Sequence, residues 1–334
     1  MSTSALNDTC EHSENTARYD AVQVEEISYE SAWEGASIHA IIWMPPEDTP
    51  VIGAVQIVHG MVEYIRRYDD FARFLAVHGF AVAGNDHIGH GESAESVERI
   101  GCLPVGGDKM MINDVNVLRM IMEKRVGDVP YFLLGHSMGS FITRAYLAKY
   151  GEGLAGAILC GTGEQPLALT KFGVGLAKQV AVIKGWDHRS VALMKLGMGA
   201  YNDKIPHPRT SYDWLNTDTV VVDAYMDDPM CGALFSAGGF ASLFSLVHTV
   251  ATKECVKNTP ENIPLLFVAG AEDPVGDMGK GVRKAVDAIK ERAQVTCTIY
   301  DGMRHEILNE PDRKTVYADI LAWLNDVIRV PCSK

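Results

Sequence analysis

The stretch Tyr131-Phe-Leu-Leu-Gly-His-Ser-Met-Gly-Ser140 decides how the rest of this chain is interpreted. Its first four residues form an apolar run typical of a buried strand, and a helical pattern begins directly after it. Ser137 therefore falls on a sharp strand-to-helix turn. A side chain would clash where strand and helix cross, and Gly135 and Gly139 stand on either side of the serine.

This context predicts a nucleophile elbow, in which Ser137 is held in a strained backbone conformation with its hydroxyl at the carboxyl end of the sheet. The positive end of the helix points at that hydroxyl. The backbone N–H of Met138 faces the space where an oxyanion would form. A serine hydroxyl needs a neutral imidazole to accept its proton and a carboxylate to orient that imidazole. A reactive Ser137 therefore requires a histidine and an acid from elsewhere in the chain.

Length and composition favour a globular enzyme over a nucleic-acid-binding protein. The chain has 334 residues, 47% of them apolar and 22% charged, which is enough for a large core domain with an insertion. A net charge of -13 would repel a phosphate backbone and an anionic membrane surface, so we expect no nucleic-acid partner. The sequence does not indicate an oligomeric state.

The cysteines and the N-terminus predict a soluble, cytoplasmic protein. The seven cysteines are scattered and include no Cys-x-x-Cys pair, which fits reduced thiols. The first ten residues have neither the basic nor the apolar region of a signal peptide, and no stretch approaches the length of a membrane span.

Strands alternate with helices along most of the chain. Residues 1–20 are polar and predict a disordered tail, and alternation at 22–29 and 37–44 predicts an antiparallel hairpin. Further strands are predicted at 53–58, 80–84, 131–134, 157–160, 264–270 and 295–300. The fold class is therefore α/β, with a mostly parallel sheet and helices on both faces.

The connection between the strands at 157–160 and 264–270 is far longer than a strand-to-helix crossover requires. We expect one core helix at about 238–255. The apolar remainder predicts a lid over the site. The predicted domains are a core of residues 1–161 and 237–334 and a lid of residues 162–236.

Two patterns resemble cofactor sites, and we interpret both as turns. Gly151-Glu-Gly-Leu-Ala-Gly156 matches the dinucleotide fingerprint, but a helix precedes it and a strand follows, which is the reverse of the order that binds pyrophosphate. Asp86, His87 and His90 lie close together without a third histidine at a ligand-like spacing. We expect no cofactor and no metal.

Glu63 and Glu92 are interpreted as groups that organise loops rather than as catalytic acids. The acid and the base come from loops after later strands. Asp273 follows the strand at 264–270, and His305 follows the strand at 295–300, so both should lie at the carboxyl edge of the sheet near Ser137.

These motifs together resemble the monoacylglycerol lipase and lysophospholipase group of the α/β-hydrolase superfamily. The matching segments are His59-Gly60, Arg67-Tyr68, Asn85-Asp-His-Ile-Gly-His-Gly-Glu-Ser93, Gly135-His-Ser-Met-Gly139, Glu272-Asp273 and Ile299-Tyr-Asp-Gly-Met-Arg-His305. The resemblance implies an α/β-hydrolase fold, with Ser137 as nucleophile, His305 as base and Asp273 as orienting acid. It also implies an oxyanion hole made by the N–H groups of Met61 and Met138.

The resemblance implies a cofactor-independent hydrolase that forms an acyl-enzyme on single-chain lipid esters, either monoacylglycerols or lysophospholipids. It leaves room for transient contact with a membrane or micelle through the lid. Two residues depart from the family pattern: Val62 and Tyr64 replace the usual glycine and histidine beside Glu63. The lid matches only loosely, for example through Asp228-Pro-Met-Cys231.

Two other functions stay open from the residues. One is a serine aminopeptidase of the proline-iminopeptidase type, in which a carboxylate such as Glu164 would anchor a free amine. The other is a binding protein on an inactive hydrolase scaffold, against which the intact serine, aspartate and histidine argue.

Overall fold

The computed structural model describes residues 17–329. The predicted disordered tail therefore lies outside the described residues up to residue 16, and residues 17–20 are helical. Ten further α-helices and eight strands follow. In chain order the strands are β1 Gln23–Glu30, β2 Ser37–Met44, β3 Gly53–Val58, β4 Phe80–Asn85, β5 Tyr131–His136, β6 Gly156–Cys160, β7 Pro264–Gly270 and β8 Gln294–Tyr300.

All eight strands belong to one sheet with the order β1-β2-β4-β3-β5-β6-β7-β8. β1 pairs with β2, and β2 with β4, in antiparallel register, while every pair from β4 to β8 is parallel. The predicted hairpin and the mostly parallel sheet are confirmed. In the parallel part, all loops that leave the carboxyl ends of strands meet at one edge.

The helices cover both faces of this sheet. They are α1 Asp69–Val77, α2 Gly107–Val126, α3 Met138–Tyr150, α4 Leu167–Lys184, α5 Val191–Met198, α6 Thr219–Asp227, α7 Ala237–Val250, α8 Lys253–Asn258, α9 Lys280–Ile289 and α10 Arg313–Arg329. One apolar cluster joins the sheet to α2, α3, α7 and α9, and a second joins it to α1 and α10.

The two clusters explain why the central strands are apolar along their whole length. In β5, Tyr131 and Leu133 belong to the first cluster, whereas Phe132 and Leu134 belong to the second. Because successive side chains of a strand point to opposite faces, a strand covered on both faces needs an apolar residue at every position. The sheet therefore forms a rigid base for the loops at its carboxyl edge.

The segment between β6 and α7 contains three of the described α-helices, α4 to α6, and no strand of the sheet. Part of this segment has a small core of its own, formed by Ile205, Trp214, Leu215, Tyr225 and Cys231. We call residues 162–236 the cap segment. Its extent as a separate lid domain stays a prediction.

The single core helix expected at about 238–255 is two helices. α7 ends at Val250, and α8 begins at Lys253 behind Thr252, whose hydroxyl accepts a hydrogen bond from the Cys255 N–H. A threonine in this position caps a new helix start, so the chain breaks there instead of continuing.

Within the described part of the chain, no helix is both long enough and apolar enough to cross a membrane.

Candidate active site

Ser137 lies at the tip of the predicted strand-to-helix turn, between the end of β5 and the first residue of α3. Its backbone has φ 55° and ψ -120°, outside the regions that residues with side chains normally occupy. The Ser137 N–H donates to the carbonyl of Cys160 over 2.9 Å. This hydrogen bond to β6 holds the strained backbone of Ser137 in place, and the Ser137 side chain is partly exposed.

The two glycines of the motif are required by close approach. A Cβ atom on Gly139 would lie 1.9 Å from the carbonyl oxygen of Val58 in β3. A Cβ atom on Gly135 would lie 2.3 Å from the carbonyl oxygen of Gly139. Any larger residue would push α3 away from the sheet, so both glycines fix the position of Ser137.

The predicted acid and base meet at the same edge. The Nδ1 atom of His305 lies 3.0 Å from Oδ2 of Asp273, and both side chains are buried. The other carboxylate oxygen of Asp273 accepts from the Val275 N–H over 2.9 Å. A fixed, buried carboxylate on Nδ1 leaves Nε2 of His305 as the nitrogen that can accept a proton from a nucleophile.

Glu272, the neighbour of Asp273, points elsewhere. Its carboxylate is 3.8 Å from the Arg304 guanidinium, and the side chain is about half exposed at 47%. Asp273 is thus the carboxylate that contacts the imidazole.

Packing also orients the His305 ring. The ring of Trp214, from the cap segment, lies 5.1 Å away between centroids, and the ring of His136 lies 4.8 Å away. A Cβ atom on Gly161 would be only 3.0 Å from the ring. Among the described residues no hydrogen bond joins the Ser137 hydroxyl to His305, although both side chains line one cavity. Such contacts commonly tighten only when substrate is bound.

The two expected oxyanion donors, Met61 and Met138, line this cavity with Ser137. Met138 is the first residue of α3, where an N–H has no acceptor within the helix. The loop before Met61 is held by Glu63, whose Oε1 accepts from the Gly60 N–H over 2.6 Å. Glu63 thus organises this loop, as expected from the sequence.

The cavity has a volume of about 510 Å³ and combines a polar floor with apolar walls. Much of its apolar lining comes from α4, α5 and α7. It includes Leu169, Phe172, Met194, Met198, Phe244 and Val247. A cavity of this size and character suits a ligand with a long apolar part and one polar reacting group.

The chain is similar in sequence and in fold to known hydrolases. Residues 49–312, well over half of the chain, match the family model described as "Serine aminopeptidase, S33". A monoacylglycerol lipase of Mycolicibacterium smegmatis is 30% identical over 299 residues, covering 87% of this chain and 93% of the relative. A monoglyceride lipase of Homo sapiens is 25% identical over 304 residues, covering 87% and 88%.

A solved structure, a highly thermostable carboxyl esterase from Bacillus coagulans in complex with glycerol, aligns with a TM-score of 0.85 and 31% identity. The alignment covers 91% of this chain and 99% of the esterase. The chain belongs to the S33 family of α/β-hydrolases. It is a serine hydrolase of the carboxylesterase type, and the predicted fold class is confirmed.

Both departures from the family pattern connect residues 59–64 to the cap segment. We call residues 59–64, which include the expected donor Met61, the oxyanion loop. Val62 has φ 45°, and its carbonyl accepts from the Gly232 N–H over 3.0 Å and from the Tyr225 hydroxyl over 3.1 Å. Tyr64 donates its hydroxyl to Asp228 over 2.7 Å. The position that is usually glycine thus keeps a left-handed backbone although valine occupies it.

The histidine-rich loop after β4, interpreted above as a turn, is organised by Asp86. The carboxylate of Asp86 accepts from the Ile65 and Glu92 N–H groups over 2.8 and 2.9 Å. His87 and His90 instead pack with His59 beneath the oxyanion loop. Burial lowers the pKa of all three histidines, that of His59 to about 3, so these rings are neutral.

Within residues 17–329, the group of potential metal ligands that does converge is Glu26, His39 and Glu92, whose two carboxylates are exposed. Exposed acidic groups of this kind are common without an ion. The Gly151–Gly156 run lies between α3 and β6, in the order that the sequence analysis assigned to it.

Sequence reasoning missed one set of site residues. Glu306 follows His305 directly and is buried against Arg67, which lies 239 positions earlier. An acidic residue directly after the predicted base could have been noticed in the sequence. Its pairing with Arg67 could not, because a single sequence does not show which distant charges are in contact.

The contact geometry makes a prediction for the two neighbouring acids. Asp273→Asn should lower kcat about 10⁴-fold, because an amide at this position favours the wrong tautomer of His305. Glu272→Gln is the matched control and should change kcat less than about three-fold, since its carboxylate contacts no part of the imidazole. Steady-state kinetics on a soluble ester measure both. The reverse ranking would contradict the assignment of the acid.

Val62 allows a prediction about stability. Elsewhere a glycine variant is less stable than the alanine variant by about 0.5–1 kcal/mol, but a left-handed backbone costs a residue with a Cβ about 1–2 kcal/mol. We expect Val62→Gly to be at least as stable as Val62→Ala, although it removes one more carbon. Thermal unfolding of the two purified variants measures the difference. A Gly variant about 1 kcal/mol less stable than the Ala variant would show that position 62 stores no strain.

Proposed function

We propose that the protein hydrolyses esters of single-chain lipids, monoacylglycerols or lysophospholipids, through an acyl-enzyme on Ser137. The observation that carries the proposal is the apolar cavity of about 510 Å³ that Ser137 and His305 share. The similarity to two monoacylglycerol lipases and to a carboxyl esterase supports the same activity. No cofactor takes part in the proposed reaction.

In the proposed mechanism the Ser137 oxygen attacks the ester carbonyl while Nε2 of His305 accepts the hydroxyl proton. The N–H groups of Met61 and Met138 stabilise the negative oxygen of the tetrahedral intermediate. The C–O bond to the alcohol then breaks, and His305 gives its proton to the departing alcohol. Asp273 stabilises the imidazolium that exists between these steps.

Deacylation repeats the sequence with water. His305 takes a proton from water, whose oxygen attacks the acyl carbon, and a second tetrahedral intermediate forms in the same oxyanion hole. Ser137 leaves with the proton that His305 returns, and the fatty acid is released. Both half-reactions use one base and one pair of backbone donors.

The aminopeptidase alternative lacks support from the contacts of Glu164. Its carboxylate is 2.6 Å from the buried guanidinium of Arg144, which also donates to the Gly163 carbonyl. Within the described part of the chain, Glu164 is not a lining residue of the cavity. An amine would have to displace Arg144 to reach it, so this carboxylate is a poor anchor.

The outer face of α4 supports the proposed contact with a membrane or micelle through the cap segment. Val182 and Ile183, which are adjacent near its C-terminal end, are 76% and 71% exposed, although valine and isoleucine are among the residues most often buried. The helix also carries Lys171, Lys178 and Lys184, all exposed, and no acidic residue. An apolar face edged by lysines suits an anionic lipid surface, although the whole chain has a net charge of -13.

We also propose a cytoplasmic location. The cysteines described by the structure, at positions 102, 160, 231, 255 and 297, are all free thiols, which fits a reducing compartment.

A panel of glycerol monoesters from about two to eighteen carbons tests the proposed substrate class. Each buried methylene contributes up to about 0.8 kcal/mol, so kcat/KM should rise several-fold for every two carbons until the cavity is full. Ser137→Ala should lose about 10⁴-fold or more in kcat on every ester. A maximum at two carbons, or faster cleavage of a prolyl-anilide than of any ester, would contradict the lipid proposal. An active Ser137→Ala variant would contradict the mechanism.

Vesicle binding tests the outer face of α4. Val182→Asp/Ile183→Asp should reduce co-sedimentation with vesicles of phosphatidylcholine and phosphatidylglycerol at least about ten-fold, because each side chain contributes about 1.5 kcal/mol when fully buried. Val105→Asp is the matched control, since Val105 is 62% exposed but lies in the core domain, outside the cap segment. Activity on a short soluble ester should be unchanged in both variants. Equal vesicle binding by both would exclude contact through this face.

A further inference from the structure

Four charged side chains are buried directly behind the candidate active site. Glu63, Arg67, His136 and Glu306 each have a side chain that is no more than 13% exposed. They come from three separate segments: the oxyanion loop with the short 3-10 helix Ile65–Tyr68 after it, the last residue of β5, and the residue after His305. We call these four residues the charge network.

Arg67 joins the oxyanion loop to the loop after β8, which carries His305 and Glu306. Its Nη1 donates to Oε2 of Glu63 over 2.8 Å and to Oε1 of Glu306 over 2.7 Å. Its Nη2 donates to Oε2 of Glu306 over 2.8 Å. Two parallel bonds between a guanidinium and a carboxylate fix distance and orientation together, which a lysine cannot do.

His136 completes the network beneath Ser137. Its Nδ1 lies 3.1 Å from Oε1 of Glu63, and its Nε2 lies 3.3 Å from the carbonyl oxygen of His305. The Tyr68 hydroxyl also lies 3.0 Å from Nδ1, but it already donates its proton to Oε1 of Glu63 over 2.9 Å, so both ring nitrogens face acceptor oxygens and are placed as donors. Burial alone would lower the pKa of His136, but the hydrogen bond and charge of Glu63 outweigh it and raise the pKa.

The network therefore balances two cations, Arg67 and His136, against two carboxylates, Glu63 and Glu306. Removing one member would leave an uncompensated buried charge, which is strongly destabilising. Removing Arg67 and Glu306 together would leave the balanced pair of Glu63 and His136. A variant that lacks both residues can therefore show how the Arg67 and Glu306 pair affects the geometry of the site without the destabilisation caused by an unpaired buried charge.

We infer that Arg67 and Glu306 are positioning residues, which set the place of the His305 imidazole relative to Ser137 and the oxyanion loop. Glu306 is next to His305, so the direction of its carboxylate restrains the backbone that carries the imidazole. Its N–H also donates to the Leu215 carbonyl over 2.8 Å, which ties the same turn to the cap segment. The inference deepens the proposed function and rests on it, because it concerns the proton transfer between Ser137 and His305.

The decisive variant is Arg67→Met combined with Glu306→Gln, assayed in the full chain on a short soluble ester. We expect kcat to fall about 10-fold to 100-fold, as for small misplacements of a catalytic group, with KM changed less than about three-fold. The rate at which a fluorophosphonate labels Ser137 should fall by a similar factor. The unfolding midpoint should be higher than that of either single variant.

Arg67→Lys is the second variant, for the case in which the double variant does not fold. It keeps the charge and loses the two parallel bonds, so it should fold and still show reduced kcat at nearly constant KM. Arg119→Lys is the matched control: Arg119 is buried and donates to the carbonyls of Tyr150 and Glu152, remote from the cavity. It should lower the unfolding midpoint and leave kcat within about two-fold.

Two results would overturn the inference. One is a folded double variant, or a folded Arg67→Lys variant, with kcat within about two-fold of the wild type. The other is an Arg119→Lys variant that loses as much kcat as the Arg67 variants for the same fall in unfolding midpoint. Failure of the proposed function would appear differently, as an unlabelled wild-type Ser137 or an active Ser137→Ala variant.

Discussion

The close approach of α3 to β3 is the contact on which the site depends. The Cα of Gly139 lies so near the Val58 carbonyl that no side chain fits, and this approach forces the chain at Ser137 into its strained conformation. The strain is tolerated because the sheet beneath is apolar on both faces and packed between two layers of helices. A rigid sheet can hold a reactive side chain in one orientation, which a loop on a softer support could not.

Much of the core was predictable because its signals are local. Continuous apolar strands, the glycines around Ser137 and the order of Ser137, Asp273 and His305 each lie within short segments whose meaning depends on little else. The structure brings Asp273 to His305 and turns the adjacent Glu272 toward Arg304.

Other features depend on single contacts, near or far along the chain, that a periodic pattern does not contain. The break between α7 and α8 arises from a single threonine cap that competes with an otherwise continuous helical pattern. The left-handed Val62 is held by Gly232 and Tyr225 of the cap segment. Periodicity describes one element at a time, so it could reveal neither of these contacts, nor the pairing of Arg67 with Glu306.

Two parts of the chain line the cavity. Residues outside the cap segment supply Ser137, His305 and the charge network, while α4 and α5 of the cap segment supply much of the apolar wall together with α7. A polar floor that is fixed by buried charges and a wall that is apolar match the two ends of an ester with one long acyl chain. The same helix, α4, presents apolar side chains to solvent on its outer face.

The most direct measurement is a crystal structure of the enzyme after reaction with a long-chain alkyl phosphonate. Our account predicts phosphorus bonded to the Ser137 oxygen, and a phosphoryl oxygen about 3 Å from the nitrogen atoms of both Met61 and Met138. The alkyl chain should lie between α4, α5 and α7. Phosphorus on another residue, or a phosphoryl oxygen that contacts neither N–H group, would contradict the account.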